Sequence, residues 1–135
     1  VPTTYYGAYG RLASRRVPSL KCAQDNDKFT LTNESAKLDY PVSLITADEA
    51  SMAGGVYNVA NSNYYLYNGQ YIWTLSPSYF ASNLSHTRVW SVIPSGGLWF
   101  GVTDYLGVRP VINLKADIQI IKGDGTSLNP YQIKI

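Results

Sequence analysis

The side chains able to do chemistry are few and scattered. His86 is the single histidine among 135 residues. An imidazole can serve as a general base or a metal ligand. Here no second histidine completes a zinc site, and no Gly-x-Ser-x-Gly elbow supplies a nucleophile. A hydrolase using His86 is the one enzyme this composition allows, and His86 sits in a Ser- and Asn-rich stretch (ASNLSHTR) that reads as a surface loop. Asp48 and Glu49 are neighbours on an expected helix, so their side chains diverge by about 100° and do not flank one substrate atom as acid and base. Asp25-Asn26-Asp27 and Gly123-Asp124-Gly125 resemble fragments of calcium loops, but neither continues with the later oxygen ligands and bidentate Glu that such a loop needs. Both read as turns. Gly96-Gly97 precedes a strand, where no helix N-terminus points at an anion. Cys22 stands alone, which excludes an intrachain disulfide and a thiolate metal site. The expectation is no enzyme, no metal and no cofactor.

What the chain has in quantity is aromatic and small polar surface. It holds twelve Tyr, three Trp and three Phe beside eleven Gly, with charged residues at only 15%. Tyr and Trp bring large contact area at low rotamer entropy, and Ser, Gly and Asn adapt to a partner, a mixture that suits recognition. The formal charge is +2 and interspersed, so there is no basic stripe for nucleic acid and no polybasic membrane patch. No run approaches the roughly 18 apolar residues of a membrane span. Between Tyr79 and Tyr105 the rings mix with Ser, Thr, Asn, His and Arg without strict alternation. Trp99 and Phe100 are adjacent on one expected strand and must face opposite sides, so at least one is exposed.

The elements that must carry these residues are mostly strands. At 135 residues and 45% apolar content the chain fits one domain, with no internal repeat. Residues 1 to 26, with Pro2, Gly7, Gly10 and Pro18, read as extended segments and turns. Strands are expected over 27–32, 38–45, 71–76, 88–93, 98–103, 107–114, 116–121 and 130–135. Pro41 demotes the second, and Pro77 stops the third. Pro94-Ser95-Gly96-Gly97 joins two of them as an antiparallel hairpin. One helix is well signed: Thr46 and Glu49 form a capping box, 47–53 favours helix, and Gly54-Gly55 ends it. Val56 to Gln70 reads as an ordered loop packed down by its own rings. The expected class is α+β, a twisted antiparallel sheet with one or two short helices and long ordered loops.

GVRPVINL (107–114), WTLSP (73–77), VWSVIPSGGL (89–98) and GDGTSLNPYQI (123–133) together resemble a surface domain of bacteria and their phages. That family is similar to the C-type-lectin-like fold of the formylglycine-generating-enzyme type. YPVSLITADEASMAGG (40–55) and YYLYNGQYIWTLSP (64–77) match it as well, so the resemblance covers nearly the whole chain. It implies residues 1–135 as a single C-type-lectin-like domain, the C-terminal part of a longer secreted or pilin-like chain. Some members are variable proteins of diversity-generating retroelements, in which adenine-templated codons are randomised on a fixed scaffold. On that pattern Val89, Val92, Leu98, Val102 and 108–114 are framework. The ligand-binding variable patch is drawn from Tyr79, Phe80, Ser82, Leu84, His86, Arg88, Ile93, Trp99, Phe100, Thr103 and Tyr105. The Glu-Pro-Asn and Trp-Asn-Asp triplets of calcium lectins are absent, as are the paired cysteines of formylglycine-generating enzymes. Neither calcium-dependent sugar binding nor oxidase activity is therefore implied.

The resemblance implies a non-enzymatic, receptor-type binding domain at a bacterial cell surface or on a phage virion, whose partner is a protein or glycan. No nucleic acid and no direct membrane insertion are expected. The alternative from a different class is a structural module of a pilus or cell envelope without a ligand of its own.

Overall fold

The computed structural model describes residues 3–22, 25, 28–34, 36–82, 86–101, 105–114, 116–126 and 128–134. Eight strands and two short helices appear in it, in the order β1 (Thr3–Tyr5), α1 (Gly7–Tyr9), β2 (Ser43–Leu44), α2 (Ala47–Ala53), β3 (Ile72–Ala81), β4 (His86–Val92), β5 (Leu98–Gly101), β6 (Pro110–Val111), β7 (Gln119–Lys122) and β8 (Gln132–Lys134). A π-helical turn, Gly10–Arg15, continues α1. The class is α+β, as expected, dominated by an antiparallel sheet of order β1-β3-β4-β5. Two separate antiparallel pairs, β2-β6 and β7-β8, complete it.

Helix α2 forms where its caps predict. The Thr46 hydroxyl accepts the Glu49 N–H at 3.1 Å, and a Glu49 carboxylate oxygen accepts the Thr46 N–H at 2.8 Å. Two orphan donors are thereby satisfied reciprocally. Gly54, at φ 135°, ends the helix. Ala47 and Ala50 enter the core, while Asp48, also buried, takes a different partner. Its two carboxylate oxygens accept Nε and Nη2 of Arg11 at 2.8 and 2.7 Å, and one also accepts the Ser19 N–H at 2.8 Å. This fork ties the N-terminal helical segment to α2. Asp48 and Glu49 thus have separate structural partners, in line with their divergence on the helix.

That N-terminal segment corrects the expectation of turns and extended chain. Ala8 and Leu12 are buried one helical turn apart, and Tyr9 and Ala13 pack against the same core. Gly7 and Gly10 read as turn signals, yet the stripe Ala8, Tyr9, Leu12, Ala13 has helical spacing and wins. Arg16, at φ 55°, closes the turn in the left-handed region, and Pro18 follows.

Strand β3 likewise runs past its expected stop at Pro77 to Ala81. Its register to β4 slips between Trp73 and Pro77 and again between Pro77 and Tyr79. An irregular ladder can absorb a residue without an N–H to donate. Residues 107–114, expected as a long framework strand, contribute only the two residues of β6. Val111 packs partly on the core, but Ile112 is 59% exposed and Val108 and Leu114 are exposed as well. With a partner strand of two residues, the segment finds no surface to bury its other apolar side chains against. Tyr71 is exposed and Trp73 half-buried. The strand expected over 27–32 is reduced to one bridge, Thr30 to Lys37, with Asp27 outside the described residues.

The β4–β5 hairpin forms as predicted, and its turn is wedged against the 56–67 loop. Asn61 N–H donates to Ser95 O at 2.9 Å, and the Tyr64 hydroxyl donates to Gly96 O at 2.8 Å. Gly96 sits at φ 81°, and a Cβ there would lie 1.6 Å from the Asn61 carbonyl oxygen. Gly10, by contrast, has helical φ and nothing within 4 Å of where a Cβ would go. Gly96→Ala is therefore expected to destabilise the fold by about 3 kcal/mol or more, through strain plus a clash with backbone. Gly10→Ala is expected to stabilise it by roughly 0.5–1 kcal/mol. Urea denaturation of the two variants against the parent checks both signs.

Candidate ligand-binding site

The sheet face carrying Trp90 is built from rings. Register places Tyr5 opposite Tyr79, Tyr79 opposite Arg88, and Trp90 opposite Phe100. Side chains two apart on a strand share a face, so Arg88 and Trp90 bring these pairs together. Trp90 has no exposed surface, and its ring meets Phe100 edge-on at 5.3 Å. Tyr79 meets Phe100 at 5.3 Å, also edge-on. Offset and edge-to-face pairs of this kind add to the gain from burial alone.

Two further segments reach over this face. Helix α1 delivers Tyr9, which lies 4.3 Å from the Tyr5 ring, 6.0 Å from Tyr79 and 5.9 Å from Phe100. The loop after α2 delivers Tyr57, stacked within 5.5 Å of both Trp99 and Phe100 and edge-on to Trp90. Tyr57 is held there because its neighbours pair with the edge of β5: Leu98 N–H donates to Val56 O at 3.0 Å and Asn58 N–H to Leu98 O at 3.1 Å. Seven rings thus form one connected cluster: Tyr5, Tyr9, Tyr57, Tyr79, Trp90, Trp99 and Phe100. Trp90 and Phe100 close it from within, Tyr5 and Trp99 open it to solvent, and Tyr9, Tyr57 and Tyr79 are half-buried between.

The polar edge of the cluster is phenolic and cationic. Burial raises the Tyr9 hydroxyl above its ordinary pKa, and the nearby hydroxyls of Tyr5, Tyr57 and Tyr79 raise it further by disfavouring another negative charge. A hydrogen bond with Tyr5 adds to this. The Arg88 guanidinium lies 5.7 Å from the Tyr79 ring centre, within cation–π range. Its Nε is buried without a hydrogen-bond partner among the described residues.

Of the residues expected in the patch, the structure brings together Tyr79, Arg88, Trp99 and Phe100. Trp99 is 40% exposed and Phe100 8%, so the alternation on β5 holds and Phe100 is a core residue, not a surface contact. Phe80, exposed, is one residue along β3 from Tyr79 and occupies the opposite face of the strand. Ile93 is half-buried at the far end of β4, where its N–H donates to Gly97 O. Ser82 and Tyr105 are exposed and outside the cluster. His86 was expected on a loop but belongs to β4, paired with Ala81, because the β3–β4 ladder extends to it. Its side chain, with Leu84, Thr103 and the framework residue Val102, lies outside the described residues. Tyr5, Tyr9 and Tyr57 were not anticipated. Tyr5 ends β1, Tyr9 lies on α1 and Tyr57 enters from a loop, so no single periodicity in the sequence joins them.

Among the described residues no group of three or more His, Cys, Asp or Glu side chains is arranged to hold a metal ion. Asp124 instead accepts the Thr126 N–H at 3.0 Å, and the Asp124 and Gly125 N–H groups donate to Asn129 O, so this segment is a turn. That bond holds the Asp124 carboxyl below its usual range. A hollow of about 590 Å3 lies away from the rings between 112–114 and the β7–β8 pair, with Ile112, Leu114 and Ile133 in its wall.

Two outcomes are expected. Phe100→Ala should cost about 3–5 kcal/mol of stability, as for a large core ring, whereas Trp99→Ala should cost about 1 kcal/mol from lost stacking. Thermal melts of both variants check the contrast. The Tyr9 pKa is raised in the folded state, so the unfolded chain ionises first. Stability held below about pH 10 should fall as pH rises through the folded value, and the fall should be shallower in Tyr9→Phe. Urea midpoints from neutral to alkaline pH measure this.

No family model, no curated protein and no solved structure matches this chain.

Proposed function

We propose that this chain is a non-enzymatic, receptor-type ligand-binding domain on a C-type-lectin-like scaffold, a variable protein of a diversity-generating retroelement acting at a bacterial cell surface or on a virion. One observation carries the binding part of the reading: a connected cluster of seven rings whose inner members are locked in the core while Tyr5 and Trp99 stay in solvent. Rigid aromatic anchors at the centre of a contact patch dominate binding energy once water is excluded around them. The scaffold part rests on the resemblance of 107–114 and 89–98, together with an antiparallel β3–β4–β5 sheet against which α2 packs. The diversification part rests on the mixed residues between Tyr79 and Tyr105, of which Phe80, Ser82, Trp99 and Tyr105 are exposed.

A structural module of a pilus or envelope is the second reading, and the C-terminal strands favour it. Ile120 and Ile121 on β7 are both exposed, as is Leu128 between β7 and β8. A lone two-stranded pair is marginal in water, so packing against another subunit would stabilise it.

The gene is expected to lie near a reverse-transcriptase gene and a near-copy of the Tyr79–Tyr105 coding stretch that differs at adenines. An isolated gene reduces the proposal to a binder of fixed specificity. For binding itself, labelled domain titrated onto intact host cells should lose about 2 kcal/mol of affinity on Trp99→Ala, with the fold retained. Unchanged affinity in that variant, alongside self-association lost on Ile120→Lys, would favour the structural module instead.

A further inference from the structure

We propose that Asn68 is a site of spontaneous self-modification, its side-chain amide converting to aspartate and isoaspartate through a cyclic imide closed by the backbone nitrogen of Gly69. The sequence holds nine asparagines, and Asn68 is the one followed by glycine. Ring closure requires the nitrogen of the next residue to reach the side-chain carbonyl carbon. A Cβ on that residue obstructs the approach, and glycine has none.

The structure leaves the reacting groups open. Asn68 is exposed, in the loop that leads into β3, so water and hydroxide reach it. The Gly69 N–H, which must give up its proton before the nitrogen attacks, donates no hydrogen bond among the described residues, and neither does Asn68 Nδ2, the group that leaves. Asn68 Oδ1 accepts the Gln70 N–H at 3.0 Å. Negative charge collects on this oxygen as the tetrahedral intermediate forms, and a donor already aimed at it stabilises that charge. Asn61, followed by Ser62, makes the contrast. Its Nδ2 donates to Gly54 O at 2.9 Å and its Oδ1 accepts the Asn63 N–H at 3.0 Å, so both ends of that amide are held. Asn33 Nδ2 is held as well, by the carbonyls of Asp25 and Lys28.

In the first step hydroxide takes the Gly69 proton, the nitrogen bonds to Asn68 Cγ, and the Cγ–Nδ2 bond breaks. The departing nitrogen takes a proton from water and leaves as ammonia. Water then opens the imide at either carbonyl. Attack at Cγ restores the normal backbone as aspartate, whereas attack at the main-chain carbonyl gives isoaspartate, whose backbone carries an extra methylene. Across both steps one water is consumed and one ammonia released, with nothing oxidised or reduced. The new carboxylate stands two residues from Leu66, whose carbonyl accepts Arg109 Nη1 at 3.0 Å. The extra methylene falls between Tyr67, whose N–H donates to Tyr64 O at 3.0 Å, and the start of β3. The loop thus gains negative charge as the molecule ages.

The test is incubation of the folded chain in mildly alkaline buffer, with peptide mapping by tandem mass spectrometry at intervals and isoaspartate labelled by an isoaspartyl methyltransferase. Asn68 is expected to convert about tenfold faster than Asn61 or any other asparagine, with isoaspartate in excess over aspartate and a rate that rises with pH. Gly69→Ala should slow the conversion about tenfold. Gly69 sits at φ 71°, where alanine is strained, so a synthetic peptide of residues 65–73, with and without the same substitution, keeps the glycine requirement testable if the variant fails to fold. The peptide also isolates the part played by the fold. A folded-chain rate within about tenfold of the peptide rate is expected, since the turn leaves the reacting groups open. A slower folded rate means that the turn protects Asn68, and overturns the proposal. Conversion of Asn61 at the rate of Asn68, an Asn68 rate untouched by Gly69→Ala, or the absence of isoaspartate at this position overturns it as well.

Discussion

Trp90 is the point at which separate parts of the chain meet. Its ring, wholly buried, is contacted by Tyr9 from α1, Tyr57 from the loop after α2, and Phe100 from β5. Its carbonyl accepts the Thr74 hydroxyl of β3 at 2.8 Å. A large aromatic packed by three other rings removes many alternatives at once, because interiors are close-packed and a displaced indole has nowhere else to fit. The arrangement has a polar cost. Trp90 Nε1 and the Ser78 hydroxyl are buried without hydrogen-bond partners among the described residues. Such orphans are uncommon and expensive in native interiors. They lie on β3 and β4, the strands whose register is irregular.

The cluster over Trp90 is completed by a tether formed elsewhere. The fork between Arg11 and Asp48 is the long-range ion pair among the described residues, and it joins the turn following α1 to the first turn of α2. Asp48 is positioned by a capping box and Arg11 by the turn that buries Leu12. Because α1 and α2 flank the sheet from different stretches of sequence, the fork sets where α1 lies and so where Tyr9 reaches the rings. Breaking it would leave a buried carboxylate unpaired, which is the costly direction for such a pair. The site therefore depends on a contact that touches none of its rings.

Local chemistry was legible where it was self-contained. The capping box at Thr46 and Glu49 and the turn at 94–97 each announce themselves within a few residues, and both formed as read. That at least one of Trp99 and Phe100 is exposed followed from strand geometry alone. What the residues did not disclose was long-range. Glycines at 7 and 10 masked a helical stripe that pays off only when Ala8 and Leu12 find the core. Pro77 is a strand breaker until an irregular register accommodates it. The apolar run 107–114 looked like core, but burial needs a surface opposite, and only Pro110 and Val111 have a strand partner. Of the site, the β3–β5 members were visible as a cluster in sequence, whereas Tyr5, Tyr9 and Tyr57 enter by tertiary packing.

A scaffold that varies its contacts needs outward positions uncoupled from inward ones, and the rings here divide on that criterion. Phe80 and Tyr105 are exposed and take no part in the connected cluster, so side-chain changes there act on the surface. Trp99 is intermediate, since its ring faces solvent yet stacks on Tyr57 and Phe100. Phe100 packs against both Trp90 and Tyr79, so replacing its ring leaves a void in the core. Neighbours that share packing partners do not change independently. The same coupling preorganises the outer rings, because a side chain already stacked loses little freedom when a ligand arrives. Under the proposed binding role, the positions free to vary and the positions preorganised for contact come from different parts of one surface, the preorganised ones being those the core holds from behind.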